Sequence, residues 1–209
     1  MIGLEPLNFD PNECRRQVEE LRDLLTAKKV LREKNDILPF FRARKHLSAY
    51  LGSYDLNWYD RIAHEFRIEE SFICDLIVGD SKERRYTFVE FEDATPTSIF
   101  VKREGKHTPE WSRRFEHGFS QLVDWFYKLD DIRHTTGFHT VFGTEPIDYT
   151  GLLVVGRHKS LDLRERRRLE WRTRYVQIQS QRVRCITFDQ LCDDLLDRLD
   201  NLRTLSGQT

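Results

Sequence analysis

The sequence lacks long apolar runs, an excess of charge of one sign, and the start of a secretory signal. No uninterrupted apolar run approaches the ~18 residues of a membrane-spanning helix, and the N-terminus MIGLEPLNFDP lacks a basic start followed by an apolar segment. The 34 Lys+Arg and 35 Asp+Glu residues nearly cancel, so the net charge neither favours nor excludes a nucleic-acid partner. These absences predict a cytoplasmic protein without a membrane segment.

Cysteine is also scarce, and its spacing argues against a metal or disulfide framework. The four residues stand at Cys14, Cys74, Cys185 and Cys192, and no two of them form a CxxC pair. None lies near a pair of histidines that would complete a zinc site. We therefore expect four reduced thiols, as in a reducing compartment.

What the sequence contains is enough apolar material for a core. Hydrophobic residues make up 39% of the 209 positions, and 14 of the residues are phenylalanine. The patterns predict, in order, two helices, three antiparallel strands, a helix, a strand, a basic helix, a strand and a helix. This order indicates an α+β fold with a mixed β-sheet flanked by helices. We divide the chain into an N-terminal helical appendage over 1–38, a main domain over 39–203 and a tail over 204–209.

The first two helices precede the strands. Pro11-Asn12 is typical of a helix start, and an amphipathic pattern follows it. The second helix is predicted from about Pro39 to Leu51, with Gly52 ending it. Next comes RIAHEFRI over 61–68, which reads as a strand, and Glu69-Glu70-Ser71 is predicted to turn the chain into the next strand.

In the 61–68 strand, strict alternation places Ile62, Phe66 and Ile68 on one face. Ala63, Glu65 and Arg67 would then lie on the other face, and His64 would pack in the core without a ligand role. Glu65 alone is an ordinary solvent-facing residue, but its neighbours make it a fourth candidate acid.

Three further acids stand at the ends of two apolar strands, FICDLIVG and YTFVEFE. Glu90 and Glu92 are two residues apart, so they point to the same face of a strand. In a hairpin Asp75 can lie opposite them. Crowded carboxylates persist mainly where a cation neutralises them, and oxygen ligands suit Mg²⁺ or Mn²⁺. The hairpin is therefore the predicted active centre.

The chain after the hairpin begins with an irregular stretch over 94–108. Thr108-Pro109 is predicted to start a long helix, in which Arg114, His117, Gln121 and Trp125 share one face at three- and four-residue steps. Residues 130–150 read as a polar loop. GLLVVGRH, over 151–158, then reads as a central strand covered on both sides.

A basic helix follows, with Trp171 among its arginines. Six arginines fall within 164–174: Arg164, Arg166, Arg167, Arg168, Arg172 and Arg174. One interpretation is a DNA-backbone surface on which Trp171 stacks, with Arg113 and Arg114 as further candidates. The other is a solvated helix in which Glu165 and Glu170 pair with the arginines. The sequence leaves both open.

The order of elements and the acids together resemble the PD-(D/E)xK nuclease superfamily. That resemblance implies a restriction-endonuclease-like core, in which Asp75 and Glu90 hold the metal ion. Glu92 stands where the superfamily usually has a lysine that acts on the attacking water. Gln121 matches a glutamine of many members, with Trp125 in place of the usual tyrosine.

A longer resemblance, over about 39–200, is to the Shedu-type antiphage defence proteins. It rests on HEFRI, SFICDLIVGD, YTFVEFEDA, the SIF…G…TPEW segment, FEHGFSQLVDW, and LLVVGR followed by ITFDQL. The resemblance implies a cytoplasmic bacterial nuclease that limits phage and forms homo-oligomers. Many relatives carry a separate sensing region, so we expect regulation here to be reduced or supplied by a protein partner.

Two functional hypotheses follow from this resemblance. The first is a Mg²⁺-dependent (or Mn²⁺-dependent) deoxyribonuclease, with Glu65 completing the metal site, Glu92 as general base or second-cation ligand, and Gln121 positioning water or phosphate. The positive charge of the missing lysine would come from one of five residues: Lys102, Lys106, Arg113, Arg114 or His117. The alternative is a catalytically inactive relative that binds nucleic acid or a protein in a defence complex.

Overall fold

A computed structural model describes residues 3–69 and 72–206. The strands are β1 (Glu5–Pro6), β2 (Arg61–Ile68), β3 (Phe72–Asp80), β4 (Arg85–Phe91), β5 (Phe100–Val101), β6 (Glu110–Trp111), β7 (Asp148–Val154), β8 (Gln177–Ile178) and β9 (Gln181–Ile186). The α-helices are α1 (Pro11–Ala27), α2 (Leu38–Arg42), α3 (Lys45–Tyr50), α4 (Arg113–Ile132), α5 (Thr136–Phe142), α6 (Leu163–Tyr175) and α7 (Phe188–Ser206). A π-helical turn, Glu33–Ile37, precedes α2, and 3₁₀ turns span Leu51–Tyr54 and His158–Ser160.

The main sheet has seven strands in the order β1-β2-β3-β4-β7-β9-β8. The pairs β1–β2, β2–β3 and β3–β4 are antiparallel, whereas β7 lies between β4 and β9 and is parallel to both. The predicted meander, the mixed sheet and the α+β class are therefore confirmed. A separate two-stranded sheet joins β5, inside the stretch that the sequence indicated as irregular, to β6, which lies in residues predicted to be helical.

Helices cover both faces of the sheet. Helices α1, α2, α3 and α7 pack on one face in a cluster that contains Leu152 and Val154 of β7. Helices α4, α5 and α6 pack on the other face in a cluster that contains Leu153 and Val155. Because apolar residues of β7 alternate between two buried clusters, its continuous apolar sequence is explained by cover on both sides. The predicted central strand is confirmed, although it spans Asp148–Val154 rather than 151–158.

The first face also includes the N-terminal region. Four residues of α1, namely Cys14, Val18, Leu21 and Leu25, are buried in the same cluster as α7 and the sheet. Asp10 begins α1 by accepting hydrogen bonds from the backbone N–H groups of Asn12 and Glu13, at 2.8 and 3.2 Å. Burial of this apolar stripe joins residues 11–27 to the rest of the fold.

The face assignment predicted for the 61–68 strand is wrong. Ile62 lies in the first cluster, whereas Ala63, Phe66 and Ile68 lie together in the second. The alternation shifts at Glu65, whose φ is 50°, a left-handed value that is rare for a residue with a side chain. The β2–β3 register pairs His64 with Leu76 and Phe66 with Cys74, and it skips Glu65 and the residue opposite, Asp75. Both strands therefore change faces beside a candidate acid.

Three helix predictions need correction. The helix expected from Pro39 to Leu51 is broken into α2 and α3. The long helix begins after Ser112, whose hydroxyl accepts a hydrogen bond from the Phe115 N–H at 3.0 Å, and not at Thr108-Pro109. The polar region 130–150 contains the end of α4 and all of α5, which Thr135 caps in the same way.

The C-terminal end of the chain is more helical than the sequence predicted. Helix α7 continues to Ser206, so it includes residues 204–206 of the expected tail, while 207–209 lie outside the described residues. Of the predicted 69–71 turn, residues 70 and 71 lie outside them as well. The four cysteines are free and buried. Among the helices of the described ranges, none combines the length and the apolar character that spanning a bilayer requires.

Candidate active site

The β3–β4 hairpin places Asp75 beside Glu90. Its last paired residues are Leu76 and Val89, so the next position on each strand brings the two acids side by side. Beyond this point β3 and β4 separate, and Asp75 Oδ2 accepts a hydrogen bond from the Phe91 N–H at 2.8 Å. The predicted approach of Asp75 to Glu90 across the hairpin is confirmed. We call these two residues the inner pair.

Burial disfavours the ionised form of both members of the inner pair. Burial raises the pKa of Asp75 to about 7, with the charges of Glu33 and Glu92 adding to the effect. Burial and the charges of Asp75 and Glu92 raise the pKa of Glu90 well above its usual range. The two carboxyl groups lie close enough for each to affect the pKa of the other. Glu90 Oε2 is buried and has no hydrogen-bond partner among the described residues, so one lone-pair-bearing oxygen is left available in a closed setting.

Three further carboxylates, Glu33, Glu92 and Asp93, form an outer group around Arg114. The Arg114 guanidinium lies 3.2 Å from Glu33 Oε2, 3.1 Å from Glu92 Oε2 and 3.4 Å from Asp93 Oδ2. Arg32 adds a second contact to Asp93 at 2.9 Å. Opposite charges at these distances favour the ionised acids. The outer group is thus neutralised from within the protein.

Glu92 is the most enclosed member of the outer group. Its side chain is 1% exposed, and His117 Nδ1 lies 3.1 Å from its Oε1. Burial raises the pKa of Glu92, while the hydrogen bond from His117 and the charge of Arg114 act in the opposite direction. Both oxygens therefore have partners. Glu92, which the sequence suggested as a general base or a ligand of a second cation, therefore already contacts two side chains of the protein.

The close approach of α4 to Glu92 depends on Gly118. A Cβ at position 118 would lie 2.8 Å from Leu153 Cδ1 and 2.9 Å from Glu92 Cγ. Those distances are too short for any larger residue unless the helix or these two side chains move. Gly118 therefore allows the first turns of α4, which carry Arg114 and His117, to rest on the acids. The sequence analysis missed this role.

Glu33 and Asp93 are also residues that the sequence analysis missed. Glu33 lies in the π-helical turn before α2, and its backbone N–H donates to Asp93 Oδ1 at 2.8 Å. Burial raises the pKa of Glu33, and the charge of Arg114 opposes that rise. Asp93 directly follows Glu92, which was a usable signal. Glu33 is 42 positions before Asp75, in a segment without strand or turn patterns, and had none.

Two other predicted site residues lie apart from the inner pair or have no contact with it. Glu65 pairs with Arg42 at 2.7 Å, and its side chain is 56% exposed. Its left-handed backbone turns it away from the acids, although it lies opposite Asp75 in register. Gln121 is half-buried on α4, one turn after Gly118, and its Oε1 has no hydrogen-bond partner within the described chain.

The donor set fits a hard divalent cation only in part. Within residues 3–69 and 72–206, no three His, Cys, Asp or Glu side chains stand together in an arrangement ready to hold a metal ion. Asp75 and Glu90 do supply adjacent oxygen donors, with one oxygen of Glu90 unpartnered, which suits Mg²⁺ or Mn²⁺. Glu92 is held by Arg114 and His117, and Glu65 points elsewhere.

The predicted DNA-binding arginines of α6 fall into two sets. Arg168 and Arg172 face inward. Arg168 donates to the Pro109 carbonyl at 2.6 Å, and Arg172 binds both oxygens of Glu116 at 2.7 and 3.0 Å. Their guanidinium groups also lie over aromatic rings, including Phe119 at 4.2 Å from Arg172. These two arginines attach α6 to the fold.

The other four arginines of α6 are exposed. Arg166 donates to the carbonyl groups of Leu161 and His158, and Arg174 pairs with Glu170 at 2.8 Å. For Arg164 and Arg167, no side-chain hydrogen bond or ion pair occurs within the described chain. Glu165 is buried in a capping box with Asp162 instead of pairing with an arginine. Of the two pairings expected for a solvated helix, the one through Glu170 is therefore present and the one through Glu165 is not, while the DNA-backbone interpretation stays a prediction.

The residues considered as substitutes for the superfamily lysine lie at different distances from the acids. Arg114 and His117 contact Glu92 directly. Lys106 pairs with Glu110, and Lys102 and Arg113 are exposed. We call the inner pair and the outer group together the acid centre. The structure therefore brings two of the five residues to this centre.

The family whose model matches this sequence is described as Shedu protein SduA, C-terminal. The match covers residues 31–192 and so includes the inner pair, the outer group and α6. No curated protein matches the chain.

Proposed function

Since the chain belongs to the family of the Shedu protein SduA C-terminal region, which suggests antiphage defence, we propose that it is a cytoplasmic metal-dependent deoxyribonuclease. The proposal includes a restriction-endonuclease-like catalytic core and hydrolysis of phosphodiester bonds. Its metal ion would be Mg²⁺, with Mn²⁺ as a substitute.

The single observation that supports this best is the inner pair. Glu90 is buried with the half-buried Asp75 beside it, and neither has an ion pair with an arginine, lysine or histidine in the described chain. Burial of unneutralised carboxylates is costly, and their raised pKa values express that cost. A bound divalent cation would offset the cost of placing this pair at the end of an otherwise apolar hairpin. Two adjacent carboxylate oxygens are suitable ligands for such a cation.

Asp75 and Glu90 would hold the cation, which when bound polarises the scissile phosphate and makes a bound water more acidic. The Phe91 N–H fixes the orientation of Asp75 through its hydrogen bond. Glu92 holds Arg114 and His117 at the inner pair. Arg114 brings positive charge to the position where the superfamily usually has a lysine, and that charge attracts the phosphate. Gln121, with its unpartnered Oε1, orients water.

The inactive relative is retained as a second candidate, because one observation favours it. Both oxygens of Glu92 are occupied, and no three-residue metal group is preformed in the described ranges. An inactive protein that binds nucleic acid or a defence partner needs no metal. It predicts DNA binding that is unchanged when Glu90 is replaced.

Cleavage of supercoiled plasmid and linear DNA, with Mg²⁺, Mn²⁺ or EDTA, tests the proposal. We expect metal-dependent cutting that falls at least about 100-fold in Glu90→Ala, the scale of losing a group that acts in the transition state. Glu83→Ala is the matched control, because Glu83 is an exposed acid at the turn of the same hairpin. Matching circular dichroism spectra would show that both variants fold.

Two results would contradict the nuclease. Cutting that persists in Glu90→Ala would assign the activity to a contaminant or another site. Absence of cutting with every metal, together with DNA binding unchanged in Glu90→Ala, would favour the inactive relative. Mass measurement by light scattering tests the proposed homo-oligomer separately, and a single-chain mass of 25.1 kDa would contradict it.

A further inference from the structure

The outer face of α6 carries two cations followed by two aromatic rings at helical spacing. Arg164, Arg167, Trp171 and Tyr175 are separated by three, four and four residues, so they form one stripe along the helix. Trp171 is 60% exposed and Tyr175 is 61% exposed. Their ring centroids lie 5.5 Å apart. Large exposed aromatics beside unpaired arginines need an explanation that core packing does not supply.

Trp171 also borders a cleft of about 350 Å³, which lies between α6 and β6. Its other walls are Trp111, Arg168, Arg172 and Val176. The floor is held in place, because Arg168 and Arg172 are fixed by the Pro109 carbonyl and by Glu116. Trp111 is itself stacked on Phe115, with centroids 4.5 Å apart. Three of the five lining residues are therefore held in place before any ligand arrives.

These walls fit a planar heterocycle attached to an anionic backbone. Indole rings offer stacking surfaces, and guanidinium groups offer hydrogen-bond donors to ring nitrogen and carbonyl oxygen atoms. The arginines of the stripe offer contacts for phosphates. A lipid chain would leave the stripe arginines Arg164 and Arg167 unpaired, and a bare anion would leave the indoles unused. An unpaired nucleobase uses both.

The cleft and the acid centre are joined through α4. Glu116 holds Arg172 of the cleft, and the next residue, His117, contacts Glu92 of the acid centre. A strand that lies across the first turns of α4 would therefore meet both sites. We propose that the cleft between Trp111 and Trp171 holds an unpaired base, so that the preferred nucleic acid is single-stranded or locally unpaired DNA.

This inference rests on the proposed nuclease, so its test measures binding and not cutting. A labelled single-stranded oligonucleotide and its duplex are titrated with the full chain in EDTA, with fluorescence anisotropy as the readout. We expect Trp171→Ala to weaken single-strand binding about tenfold (~1.4 kcal/mol), the scale of one stacked base. Duplex binding should change less than twofold, and Trp171→Phe should restore most of the lost affinity.

Trp58→Ala is the matched control, because Trp58 is another exposed tryptophan, at 61%, and lies outside the cleft. It should leave both affinities unchanged. Equal weakening of single-strand and duplex binding by Trp171→Ala would overturn the base site, as would wild-type protein that fails to bind the single strand. Neither result bears on the nuclease itself, which stands or falls on metal-dependent plasmid cleavage.

Discussion

The acid centre and helix α6 each concentrate charged residues of one sign. In both, the charged residues fall into two sets: those with partners inside the fold and those without. In the acid centre, Glu33, Glu92 and Asp93 contact Arg114, whereas Asp75 and Glu90 contact no cation of the described chain. In α6, two arginines are fixed by contacts within the fold, while Arg164 and Arg167 are not. The comparison separates charged residues that stabilise the fold through internal contacts from charged residues that remain available to bind a ligand.

The physical basis of the division is the cost of burial. A buried charge is tolerated when a partner satisfies it, and removal of the partner is then destabilising. An exposed charge costs little and contributes little to stability. The inner pair is the exception, because Glu90 is buried, Asp75 is half-buried and neither contacts a cation, and the pKa values of both are raised. Each class predicts a different response to substitution.

The largest effect is expected where a charge holds the structure. Arg172→Ala removes two hydrogen bonds to Glu116 and contacts with three aromatic rings, so we expect a loss of ~2–3 kcal/mol in the free energy of unfolding. That loss corresponds to a melting temperature lower by about 5–10 °C. Arg174→Ala, which removes only an exposed pair with Glu170, should change stability by less than ~0.5 kcal/mol. Equal losses of unfolding free energy in the two variants would contradict the distinction between inward-facing and exposed arginines of α6.

An intermediate effect concerns the pH dependence of the inner pair. The folded-state pKa of Asp75 is about 7, above its ordinary value of 3.8, so the folded protein binds more protons than the unfolded chain between these pH values. This contribution to stability is fully present below the unfolded pKa and is lost as the pH rises through about 7.

The measurement that checks this compares thermal unfolding of wild type and Glu90→Gln from pH 4 to pH 9. Above pH 7 we expect the variant to be more stable by at least ~1 kcal/mol, because an amide carries no charge to repel Asp75. Mg²⁺ should raise the melting temperature of the wild type at pH 8 and leave the variant unchanged. Identical dependence of stability on pH in wild type and Glu90→Gln would contradict the conclusion that the inner pair lacks a neutralising cation.

The smallest effect is expected from the unpaired arginines. The double variant Arg164→Ala with Arg167→Ala should leave the melting temperature within the ~0.5 kcal/mol of ordinary surface changes. It should reduce the slope of log affinity against log salt by about 2, one for each lost phosphate contact. Binding of a DNA oligonucleotide at several salt concentrations provides the measurement. An unchanged slope would remove these residues from the DNA surface.

Local patterns predicted the hairpin and its acids well. The short turn between β3 and β4 fixes their antiparallel register, and that register was sufficient to bring Asp75 beside Glu90, although strict alternation of faces fails at Asp75 itself. Strict alternation was also wrong for β2, where the left-handed backbone of Glu65 shifts the alternation. No residue-type pattern signals that conformation, since Glu seldom adopts it.

Helix ends showed the same limit. Ser112 and Thr135 are good capping residues, but the sequence also offered Thr108-Pro109 as a start. The choice was made by the small sheet of β5 and β6, which holds residues 110–111 extended just before α4. A two-residue strand is too short to leave a pattern of its own.

The sequence by itself determined the α+β class, the mixed sheet, and the pairing of two acids across a hairpin, because periodicity and turn chemistry are local properties. Tertiary structure alone decided which charges are neutralised. It brought Glu33 to Arg114 from a distant segment, let Gly118 lower α4 onto Glu92, and turned Arg168 and Arg172 inward. Charge pairing depends on distances between segments far apart in the chain, and those distances exist only once the helices have packed on the sheet.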